Sequence, residues 1–476
     1  MLDKILKFEE KNDILNFKFS SGDLLWPFIR YTILYGYMKN YYGLQLESMS
    51  NVHKKMNIKE LLKYIYITFS NNPYKVKKNY EILFFGVNSA NHLRNDGLYF
   101  NRLHDYYTNI FPEKTFFIEK SHNLQYFRPR YFKNIAYSDY LTMNIILKSK
   151  ILKKADNHDK KLANEFILFL KSNFQEFNYE FYNNIYNLII AHSVQIPLYK
   201  KYYRKLFKKL KPKIIFVNTA SYGNMYGHIV KIAKEMKIKT AEFQHGVITS
   251  GHVAYNYNDT ILKNEEYKKY LPEYLLTYGD FWNDNMKTPV KKITIGNPHF
   301  WYNFERLNNE KKERSKKIIL IVSQGTVTNI NVKIAKELSK KIDKNYRIIF
   351  RLHPGEIPFE ERYKELYNYN NIEINKEGDI YNLIHDSDYI ISIYSTTIFE
   401  AVSLNKTVFI YKHPLSELHI PKNIGIWFNT VDELYEMIKN NMKSEKEYNI
   451  EYFWNKNWKE NYINFLKNEI GIEVKK

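Results

Sequence analysis

Three apolar segments in the last third of the chain alternate with polar loops, and this pattern constrains the fold more than any other feature. The segments 347–350, 388–393 and 407–411 are rich in Ile and aromatic residues, and a helical segment, 399–404, lies between the last two. Short apolar runs separated by helical segments are typical of parallel strands that helices bury on both faces. The sequence therefore predicts an open parallel α/β sheet in this region.

Polar residues follow two of these predicted strands. Arg351-Leu-His-Pro354 follows the first strand, and Ser395-Thr-Thr397 follows the second. Open parallel sheets bind their ligands at the carboxyl ends of their strands. We therefore predict that His353, Ser395 and Thr396 hold the phosphate or diphosphate of a ligand.

The same alternation occurs earlier in the chain and predicts a second sheet. Its apolar segments lie at 81–86, 114–119, 214–217, 239–243, 273–277 and 292–295. A polar segment at 301–316 separates this series from the second series, which begins at 317, and we predict that it is a linker. The predicted fold class is therefore α/β, with two Rossmann-like domains and a helical N-terminal extension.

The predicted domain organisation has four parts. They are a helical extension at 1–80, a first Rossmann-like domain with a helical insertion at 81–300, a second Rossmann-like domain at 317–430, and C-terminal helices at 431–476. We expect a C-terminal helix to fold back on the first domain.

Candidate catalytic residues follow two strands of the first series. His245 lies in Gln244-His-Gly246 at the end of the strand 239–243, and a neutral imidazole there could accept a proton near pH 7. Asp96 lies in Asn95-Asp-Gly97, which is either a functional loop or a plain turn, and we predict a helix at 98–106 after it. Both interpretations of Asp96 stay open at this point.

The loop Ser323-Gln-Gly325 follows the first strand of the second series and precedes a helix. Backbone N–H groups at such a helix start can bind an anion, so Ser323 and Gly325 are candidate phosphate-binding residues. A plain turn between strand and helix is the alternative. The sequence has no Asp-x-Asp at a strand end, and we predict no metal.

The net charge of +21 indicates anionic partners. Such a field attracts polyanions, anionic lipid or nucleotides, but no RNP signature, zinc-finger spacing or helix-turn-helix supports nucleic acid. We expect an anionic membrane surface and anionic donors, whereas a solvated basic face without a specific role is the alternative. The absence of Cys excludes disulfides, thiolate metal sites and a Cys nucleophile.

No apolar run reaches the roughly 18 residues of a transmembrane helix, and no secretory signal is visible. We therefore expect a cytoplasmic protein that is peripheral at the inner membrane face. Two aromatic segments, 24–37 and 61–69, lie beside lysines such as Lys59 and Lys63. They either touch the membrane as basic amphipathic segments or pack as helices on the domain that follows.

The second half of the chain resembles known transferases of bacterial surface polysaccharides. Arg351-Leu-His-Pro354 and the segment 386–400 are similar to the HP and Ser/Thr motifs of bacterial sialyltransferases and polysialyltransferases. They are also similar to the matching region of the CDP-glycerol glycerophosphotransferases. The resemblance covers roughly residues 213–415, and it implies the GT-B architecture of two Rossmann-like domains.

The resemblance implies a role for several residues of the second domain. It places His353, Ser395 and Thr396 on the donor phosphate, and Glu400 at a position where many GT-B enzymes have a ribose-binding carboxylate. The remaining predicted donor-binding residues are Arg351, Pro354, Thr397, Ser323 and Gly325.

The sequence departs from the sialyltransferases at the base. Those enzymes carry an acidic Asp/Glu-Asp/Glu-Gly motif, where this chain has Gln244-His-Gly246 and Asn95-Asp-Gly97. Glycerophosphotransferases use a histidine before a glycine in a comparable place. The resemblance therefore implies His245 as the first candidate base and Asp96 as the second.

The resemblance implies a nucleotide-sugar-dependent glycosyltransferase that builds a capsule or lipooligosaccharide, inverts the anomeric centre and needs no metal or cofactor. Its partners would be a nucleotide-activated sugar donor, CMP- or CDP-linked among the possibilities, and a glycan or lipid-linked acceptor. Three alternatives stay open: a CDP-glycerol-type glycerophosphotransferase, a sugar-nucleotide epimerase, and a basic binding protein without enzymatic activity.

Overall fold

The structure, a computed structural model, describes residues 2–11, 13–44, 57–152, 154–307, 316–444 and 446–473. Two parallel sheets organise these residues. The strands are β1 Ile82–Val87, β2 Asn91–Leu93, β3 Tyr99–Asn101, β4 Thr115–Lys120, β5 Ile135–Tyr137, β6 Ile214–Val217, β7 Lys239–Phe243, β8 Tyr274–Thr277, β9 Lys291–Thr294, β10 Lys317–Val322, β11 Tyr346–Arg351, β12 Ile372–Asn375, β13 Tyr389–Ser392, β14 Thr407–Tyr411 and β15 Ile426–Phe428.

Helices cover the sheets and form the N-terminal extension. They are α1 Leu2–Lys11, α2 Trp26–Tyr42, α3 Ile58–Ser70, α4 Asp105–Thr108, α5 Asp139–Leu152, α6 Asn157–Asn173, α7 Tyr179–Leu210, α8 Asn224–Glu235, α9 Asp259–Lys263, α10 Glu265–Lys268, α11 Asp280–Asp284, α12 Pro298–Leu307, α13 Thr328–Ser339, α14 Ile380–Asp386, α15 Thr396–Ser403, α16 Pro414–His419, α17 Val431–Lys439, α18 Ile450–Phe453 and α19 Trp458–Asn468. Short 3₁₀ segments lie at Ile14–Asn16, Pro73–Lys75, Asn88–Ala90, Ala220–Tyr222, Gly325–Val327 and Pro354–Asn368.

The two sheets confirm the predicted fold class. The first has seven strands in the order β5-β4-β1-β6-β7-β8-β9, and the second has six in the order β12-β11-β10-β13-β14-β15. Every pairing within them is parallel. The chain therefore has the GT-B architecture of two Rossmann-like sheets, while the exact domain boundaries stay predictions.

The central strands of both sheets are largely apolar because helices pack on both faces. All residues of β6 and of β8 are buried, as are those of β13. Burial on both faces removes the alternation of apolar and polar residues that a half-exposed strand would show. This is why the apolar runs of the sequence located the central strands correctly.

The predicted helix at 98–106 is wrong in its first part. Tyr99–Asn101 is the strand β3, which pairs antiparallel with β2, and helix α4 begins only at Asp105. The turn between the strands has Gly97 at φ +77°, and Arg94 N–H donates to the carbonyl of Leu98. The Asn-Asp-Gly chemistry closes a hairpin here and does not open a helix.

The polar segment 301–316 is only partly described. Its first residues, 301–307, belong to helix α12, so the predicted linker does not begin at 301. Residues 308–315 lie outside the described residues. Two three-residue strands, β5 and β15, were not predicted because such short edge strands leave no clear pattern in the sequence.

The C-terminal helices fold back on the first domain, which confirms the expectation from the sequence. Tyr462 and Phe465 of α19 are buried against Phe216 and Phe243 of the first sheet. The indole N–H of Trp454 donates to the hydroxyl of Ser403 in the second domain at 3.0 Å. The tail therefore packs on both domains.

The N-terminal extension divides into two different surfaces. Helix α2 is buried along much of its length, and Arg30 in it bonds to the buried carboxylate of Glu9. The aromatic segment 24–37 is therefore packed core. Helix α3 exposes most of its apolar residues. No helix in the described part of the chain has the length and apolar character needed to cross a bilayer.

Candidate functional site

The carboxyl ends of the two sheets face each other. Gly246 follows β7 of the first sheet, and Thr396 follows β13 of the second. A Cβ atom at Gly246 would lie 3.8 Å from the Oγ1 atom of Thr396. The space between these strand ends is called the cleft below, and it brings the predicted base loop and the predicted phosphate loop together.

The loop that follows His245 also packs on the second domain. A Cβ atom at Gly251 would overlap the side chain of Leu418 in α16 and lie 2.7 Å from its carbonyl oxygen. Thr249 and His419 approach each other with 3.4 Å between Oγ1 and Nδ1. Glycine is needed at 251 because nothing larger fits between the loop and α16.

His245 is the first member of a hydrogen-bonded chain of three side chains. Nδ1 of His252 accepts a hydrogen bond from the backbone N–H of Ala254 at 3.3 Å, so the proton of its neutral ring is on Nε2. That Nε2–H donates to the hydroxyl of Tyr222, which donates to Nε2 of His245, both at 3.2 Å. Nε2 of His245 therefore carries the lone pair.

The imidazole of His245 is neutral at pH 7. Burial lowers the pKa of His245 to about 4. Burial also holds the pKa of His252 well below its usual value, and the nearby rings of His419 and His245 lower it further. The buried Nδ1 of His245 has no hydrogen-bond partner among the described residues. A neutral ring that carries its lone pair on Nε2 is what a proton acceptor requires.

Glu242 supports this chain from inside β7. Its carboxylate accepts hydrogen bonds from the backbone N–H and the hydroxyl of Ser221 at 2.9 and 2.6 Å, and from the hydroxyl of Tyr255. Burial raises the pKa of Glu242 to about 7, although these hydrogen bonds lower it. The ring of Tyr255 packs on His252 with 4.9 Å between centroids, so Glu242 is a positioning residue.

His353 is an exposed histidine with a potential donor on its ring. Its Nδ1 accepts a hydrogen bond from the backbone N–H of Gly355 at 3.1 Å, so Nε2 carries the proton of the neutral ring. The residue is exposed, and Pro354 after it begins a 3₁₀ segment. Desolvation by the surrounding protein lowers the pKa of His353, and the charges of Arg102 and Arg351 lower it further. An Nε2–H of this kind can donate to a phosphate oxygen.

Glu356 holds the loop of His353 in place and was not predicted. Its carboxylate accepts from the backbone N–H of His353 at 2.7 Å and from the hydroxyl of Ser323 at 3.0 Å. The hydroxyl of Tyr363 also donates to it. The spacing of three residues from His353 to Glu356 is that of a capping box, and this signal could have found it.

Ser395 caps the helix that follows β13. Its hydroxyl oxygen accepts from the backbone N–H of Thr397 at 3.2 Å. Ser395 and Thr396 are half-buried at the start of α15, whereas Thr397 is buried. Unpaired N–H groups at such a helix start attract anions. Ser395 and Thr396 therefore lie at a helix start of this kind, and Thr397 is buried behind them.

Glu400 is buried one turn further along α15. The hydroxyl of Tyr381 donates to its Oε1 atom at 2.8 Å. Burial raises the pKa of Glu400, while the bond from Tyr381 and the charge of Arg102 oppose that rise. A ribose hydroxyl would reach Glu400 only if Tyr381 moved or shared the carboxylate.

The guanidinium of Arg351 is hydrogen-bonded within the second domain. Its Nη1 donates to the Asn375 side chain and the Glu377 carbonyl, both at 2.5 Å, and its Nη2 donates to the Gly378 carbonyl at 2.8 Å. These contacts differ from the predicted contact with the donor phosphate. In this structure Arg351 holds the loop after β12.

Ser323 and Gly325 are buried beneath the cleft. Ser323 gives its hydroxyl proton to Glu356, and a Cβ atom at Gly325 would lie 3.4 Å from Cγ of the same residue. Gln324 between them donates to the carbonyl of Tyr394 at 2.8 Å and accepts from its N–H. The side chain of Ser323 is therefore structural here, and it joins the loops that follow β10 and β11.

Arg102 was not predicted as a site residue, and its charge affects pKa values in both domains. It is exposed just after β3, and its backbone N–H donates to the carbonyl of Ala90 at 3.2 Å. Burial, helped by the charges of Arg102 and of other nearby residues, lowers the pKa of His299 to about 3. The same charge acts on His353 and Glu400 in the second domain. Among the described residues no carboxylate forms an ion pair with Arg102.

His299 follows β9 and completes the first-domain side of the cleft. Its Nδ1 lies 3.3 Å from the hydroxyl of Tyr106, and its ring packs edge-on against Tyr381 of the second domain. The ring of His92, from the hairpin, lies 6.0 Å away. The Pro-His pair directly after a predicted strand was the sequence signal for His299. Arg102 had no such signal because its strand was predicted as a helix.

Asp96 lies at the exposed tip of the hairpin. Its Oδ1 accepts from the backbone N–H of Leu98 at 3.1 Å, and its Oδ2 pairs with Arg94 at 3.2 Å. These contacts are those of a turn residue and an exposed ion pair. Of the two candidate bases, the geometry favours His245.

Among the described residues, one cluster has ligand atoms close enough for a metal ion: Asp156, His158 and Asp159 at the start of α6. Asp156 caps that helix by accepting from the N–H of Asp159, and Asp159 accepts from the N–H of Ser20. Asp156 is therefore occupied in helix capping and Asp159 in holding Ser20, and both lie outside the cleft loops.

No family model matches this chain, and no curated protein matches it. Several solved structures are similar. The UDP-GlcNAc 2-epimerase from Neisseria meningitidis bound to UDP-GlcNAc is 12% identical over 82% of this chain and 100% of that chain, with a TM-score of 0.45.

Two transferases are similar to the same degree. The wall teichoic acid polymerase TagF is 12% identical over 86% of this chain and 91% of that chain, with a TM-score of 0.41. The spinosyn rhamnosyltransferase SpnG, complexed with thymidine diphosphate, is 11% identical over 82% and 96%, with a TM-score of 0.41. Because these TM-scores are below 0.5, the assignment of the fold is based on the two parallel sheets of this chain and not on these similarities.

Proposed function

We propose that this protein is a glycosyltransferase that moves a sugar from a nucleotide-activated donor to a glycan or lipid-linked acceptor of a bacterial surface polysaccharide, such as capsule or lipooligosaccharide. One observation carries the proposal: the loop of His245 in the first domain meets the loop of Ser395 and Thr396 in the second, with 3.8 Å between the Cβ position of Gly246 and Thr396. A proton acceptor and an anion site therefore share one cleft.

The second domain would hold the donor phosphate. Negative charge develops on this phosphate as the bond to the sugar breaks, and preorganised donors stabilise it. The Nε2–H of His353, the hydroxyls of Ser395 and Thr396, and the backbone at the start of α15 supply such donors. Arg102 would reach the same charge from the first domain. These groups supply the positive potential from protein atoms alone, and no metal is part of the proposed reaction.

His245 would accept the proton of the acceptor hydroxyl. The oxygen attacks the anomeric carbon from the side opposite the phosphate, the proton goes to Nε2 of His245, and the nucleotide leaves with the bonding electrons. A single displacement of this kind inverts the anomeric centre. Closure of the two domains on the donor would exclude water and limit its hydrolysis.

The hydroxyl of Tyr222 lies on Nε2 of His245 in this structure. The acceptor hydroxyl either replaces it at Nε2 or passes its proton through it. Tyr222→Phe separates the two routes, because a relay through the Tyr222 oxygen would be lost and direct transfer to His245 would persist. The comparison variant is His245→Gln, which loses transfer by either route.

A second function, a CDP-glycerol-type glycerophosphotransferase, is favoured by one observation. The base loop reads Gln244-His-Gly246, and the resemblance to that family places a histidine before glycine at this point. In such an enzyme the acceptor hydroxyl would attack phosphorus and release CMP, whereas in a glycosyltransferase the acceptor hydroxyl attacks the anomeric carbon. Turnover assays with CDP-glycerol, CMP-sugars and UDP-sugars distinguish the two by their products.

The test begins with the nucleotide. A ligand that binds the folded chain raises its melting temperature, so a thermal-shift screen of CMP, CDP, UDP and GDP identifies the base and the number of phosphates. We expect His353→Ala and Ser395→Ala each to lower transfer strongly while the chain stays folded. Unchanged function in both variants would favour a basic binding protein. Turnover of a UDP-sugar without acceptor would show an epimerase.

The proposal places the protein at the inner face of the membrane. An acceptor that grows on a lipid carrier stays at that surface, and the net charge of +21 favours an anionic one. The nucleotide donor is the co-substrate, and no other cofactor is proposed.

A further inference from the structure

Helix α3 carries two apolar faces, and only one of them is packed. Tyr64, Ile67 and Thr68 are buried. Six other apolar residues recur at three- and four-residue spacing along the helix and are exposed: Ile58, Leu61, Leu62, Ile65, Tyr66 and Phe69. This spacing places them on one side of the helix. The set is called the α3 face.

The α3 face is more exposed than surface apolar residues need to be. Ile58 is 77% exposed, Tyr66 is 72% exposed and Leu62 is 60% exposed. Single exposed apolar residues are ordinary, but a contiguous group of this size marks an interaction surface. At thirteen residues, α3 is too short to cross a bilayer. The α3 face can therefore be covered only by a surface along which the helix lies flat.

The charges beside the face indicate what covers it. Lys59 and Lys63 lie one turn apart on α3, both exposed, and no ion pair involves either of them among the described residues. The acidic residue of the helix, Glu60, is occupied in capping, since it accepts from the backbone N–H of Asn57 at 3.1 Å. Apolar and aromatic residues bordered by lysines are typical of helices that lie in the interface of an anionic bilayer.

A second copy of the chain is a weaker fit. A symmetric pairing through the α3 face would bring the lysines of the two copies near each other, with no carboxylate of the face to neutralise them. Anionic headgroups would neutralise the same lysines and would accept the apolar residues among their acyl chains.

The packed side of α3 is anchored at the carboxyl ends of two strands of the first sheet. The hydroxyl of Tyr64 donates to Asp139 at 3.0 Å, and Asp139 also accepts from the backbone N–H of Ser121, directly after β4. Thr68 bonds to Tyr126 at 2.7 Å. These contacts lie at the carboxyl ends of β4 and β5, on the sheet edge that faces the cleft.

We propose that the α3 face docks the protein on an anionic lipid bilayer, with α3 lying in the plane of the headgroups. This docking goes beyond the proposed transfer reaction, and it can be tested without a donor or an acceptor. It would also bring a lipid-linked acceptor to the edge of the first sheet where His245 lies, and that part rests on the proposed function.

The test uses the full chain and sedimentation with two kinds of vesicle. One kind is phosphatidylcholine alone, and in the other part of it is replaced by phosphatidylglycerol. We expect binding to the anionic vesicles that weakens as salt is raised, because lysine attraction to headgroups is screened. The double variant Leu62→Glu/Tyr66→Glu should bind at least about tenfold more weakly, since it loses two buried apolar side chains. Lys59→Glu/Lys63→Glu should also weaken binding to the anionic vesicles.

A matched control is available on another helix. Leu168 of α6 is 67% exposed, and among the described residues of α6 it is alone in being a large exposed apolar residue. Leu168→Glu should bind the anionic vesicles as the wild-type chain does. Melting curves of all variants establish that each is folded, and the thermal shift with the bound nucleotide establishes that the cleft is unchanged.

Three results would overturn the docking. In the first, the Leu62→Glu/Tyr66→Glu variant binds the anionic vesicles as well as the wild type does. In the second, the wild type binds neither kind of vesicle. In the third, light scattering shows that the wild type is a dimer and that this variant is a monomer. The last result would assign the α3 face to a second copy. A Leu62→Glu/Tyr66→Glu variant that loses vesicle binding but still transfers to a soluble acceptor would support the docking. Failure of the transfer assay alone would contradict the proposed function and not the docking.

Discussion

Replacing Arg102 by alanine tests whether the two domains grip the donor together. Arg102 is exposed and unpaired among the described residues, yet its charge acts on His353 and Glu400 across the cleft. A charge-assisted hydrogen bond contributes about 1.5–3 kcal/mol, and solvent screening at an exposed guanidinium favours the lower part of that range. Arg102→Ala should therefore weaken binding of a nucleoside diphosphate about ten- to fortyfold.

The assay is calorimetric titration with the nucleoside diphosphate that the thermal-shift screen identifies and with its nucleoside. We expect a large loss for the diphosphate and little change for the nucleoside, because Arg102 would contact phosphate alone. No native ion pair is lost, so the free energy of unfolding should change by less than about 0.5 kcal/mol. The pKa of His353, followed by NMR, should rise because the charge of Arg102 lowers it.

The matched control is Arg94 on the same hairpin. Its guanidinium pairs with Asp96 at 3.2 Å and lies 4.5 Å from the centroid of the Tyr131 ring, so its charge is already paired. Arg94→Ala should leave nucleotide binding as it is. The reasoning is refuted if Arg102→Ala binds the diphosphate within twofold of the wild type, or if Arg94→Ala loses as much.

Three further predictions concern the first-domain loop. Transfer at saturating donor should fall as the pH is lowered toward about 4, where His245 becomes protonated, and a pH profile of the rate checks it. Glu242 has a folded pKa of about 7, well above the ordinary value of about 4.5 for glutamate, so it holds its proton to higher pH in the folded chain. Stability should therefore fall by about 3 kcal/mol as the pH rises from about 4.5 to about 7, and urea unfolding of Glu242→Gln should lack this contribution. Gly251→Ala should lower the melting temperature, at a cost of about 1–3 kcal/mol from the overlap with Leu418, whereas Gly246→Ala should not.

The alternation of apolar runs and helical segments was enough to locate the central strands of both sheets. Strands such as β6 and β13 are buried on both faces, and a continuous apolar run is the local signature of that burial. Placing His245, His353 and Ser395 at strand ends followed directly, because a polar loop after a buried strand is also a local feature. Where turn chemistry competed, as at Gly97, the local pattern misled.

The partners of each strand-end residue were beyond the reach of the sequence. Arg351 and His353 are two residues apart, yet the first bonds to Asn375 and Gly378 while the second is exposed and bonds to its own loop through Nδ1. Nothing in the local pattern distinguishes them, because the difference depends on where the loop after β12 lies. The same holds for Ser323, whose hydroxyl is taken by Glu356 from the next loop.

By itself the sequence determined that this chain forms two parallel α/β sheets with a histidine and a Ser-Thr pair at strand ends. The reason is that a strand buried on both faces consists of consecutive apolar residues, which the sequence shows directly. Only the tertiary structure decided that the loop of Gly246 meets Thr396, that the charge of Arg102 lowers the pKa of His353, and that α3 keeps one apolar face uncovered. The physical reason is that each of these facts depends on contacts between residues far apart in the chain. Such contacts are set by the order of the strands and the packing of the two domains, and residue spacing carries no record of them.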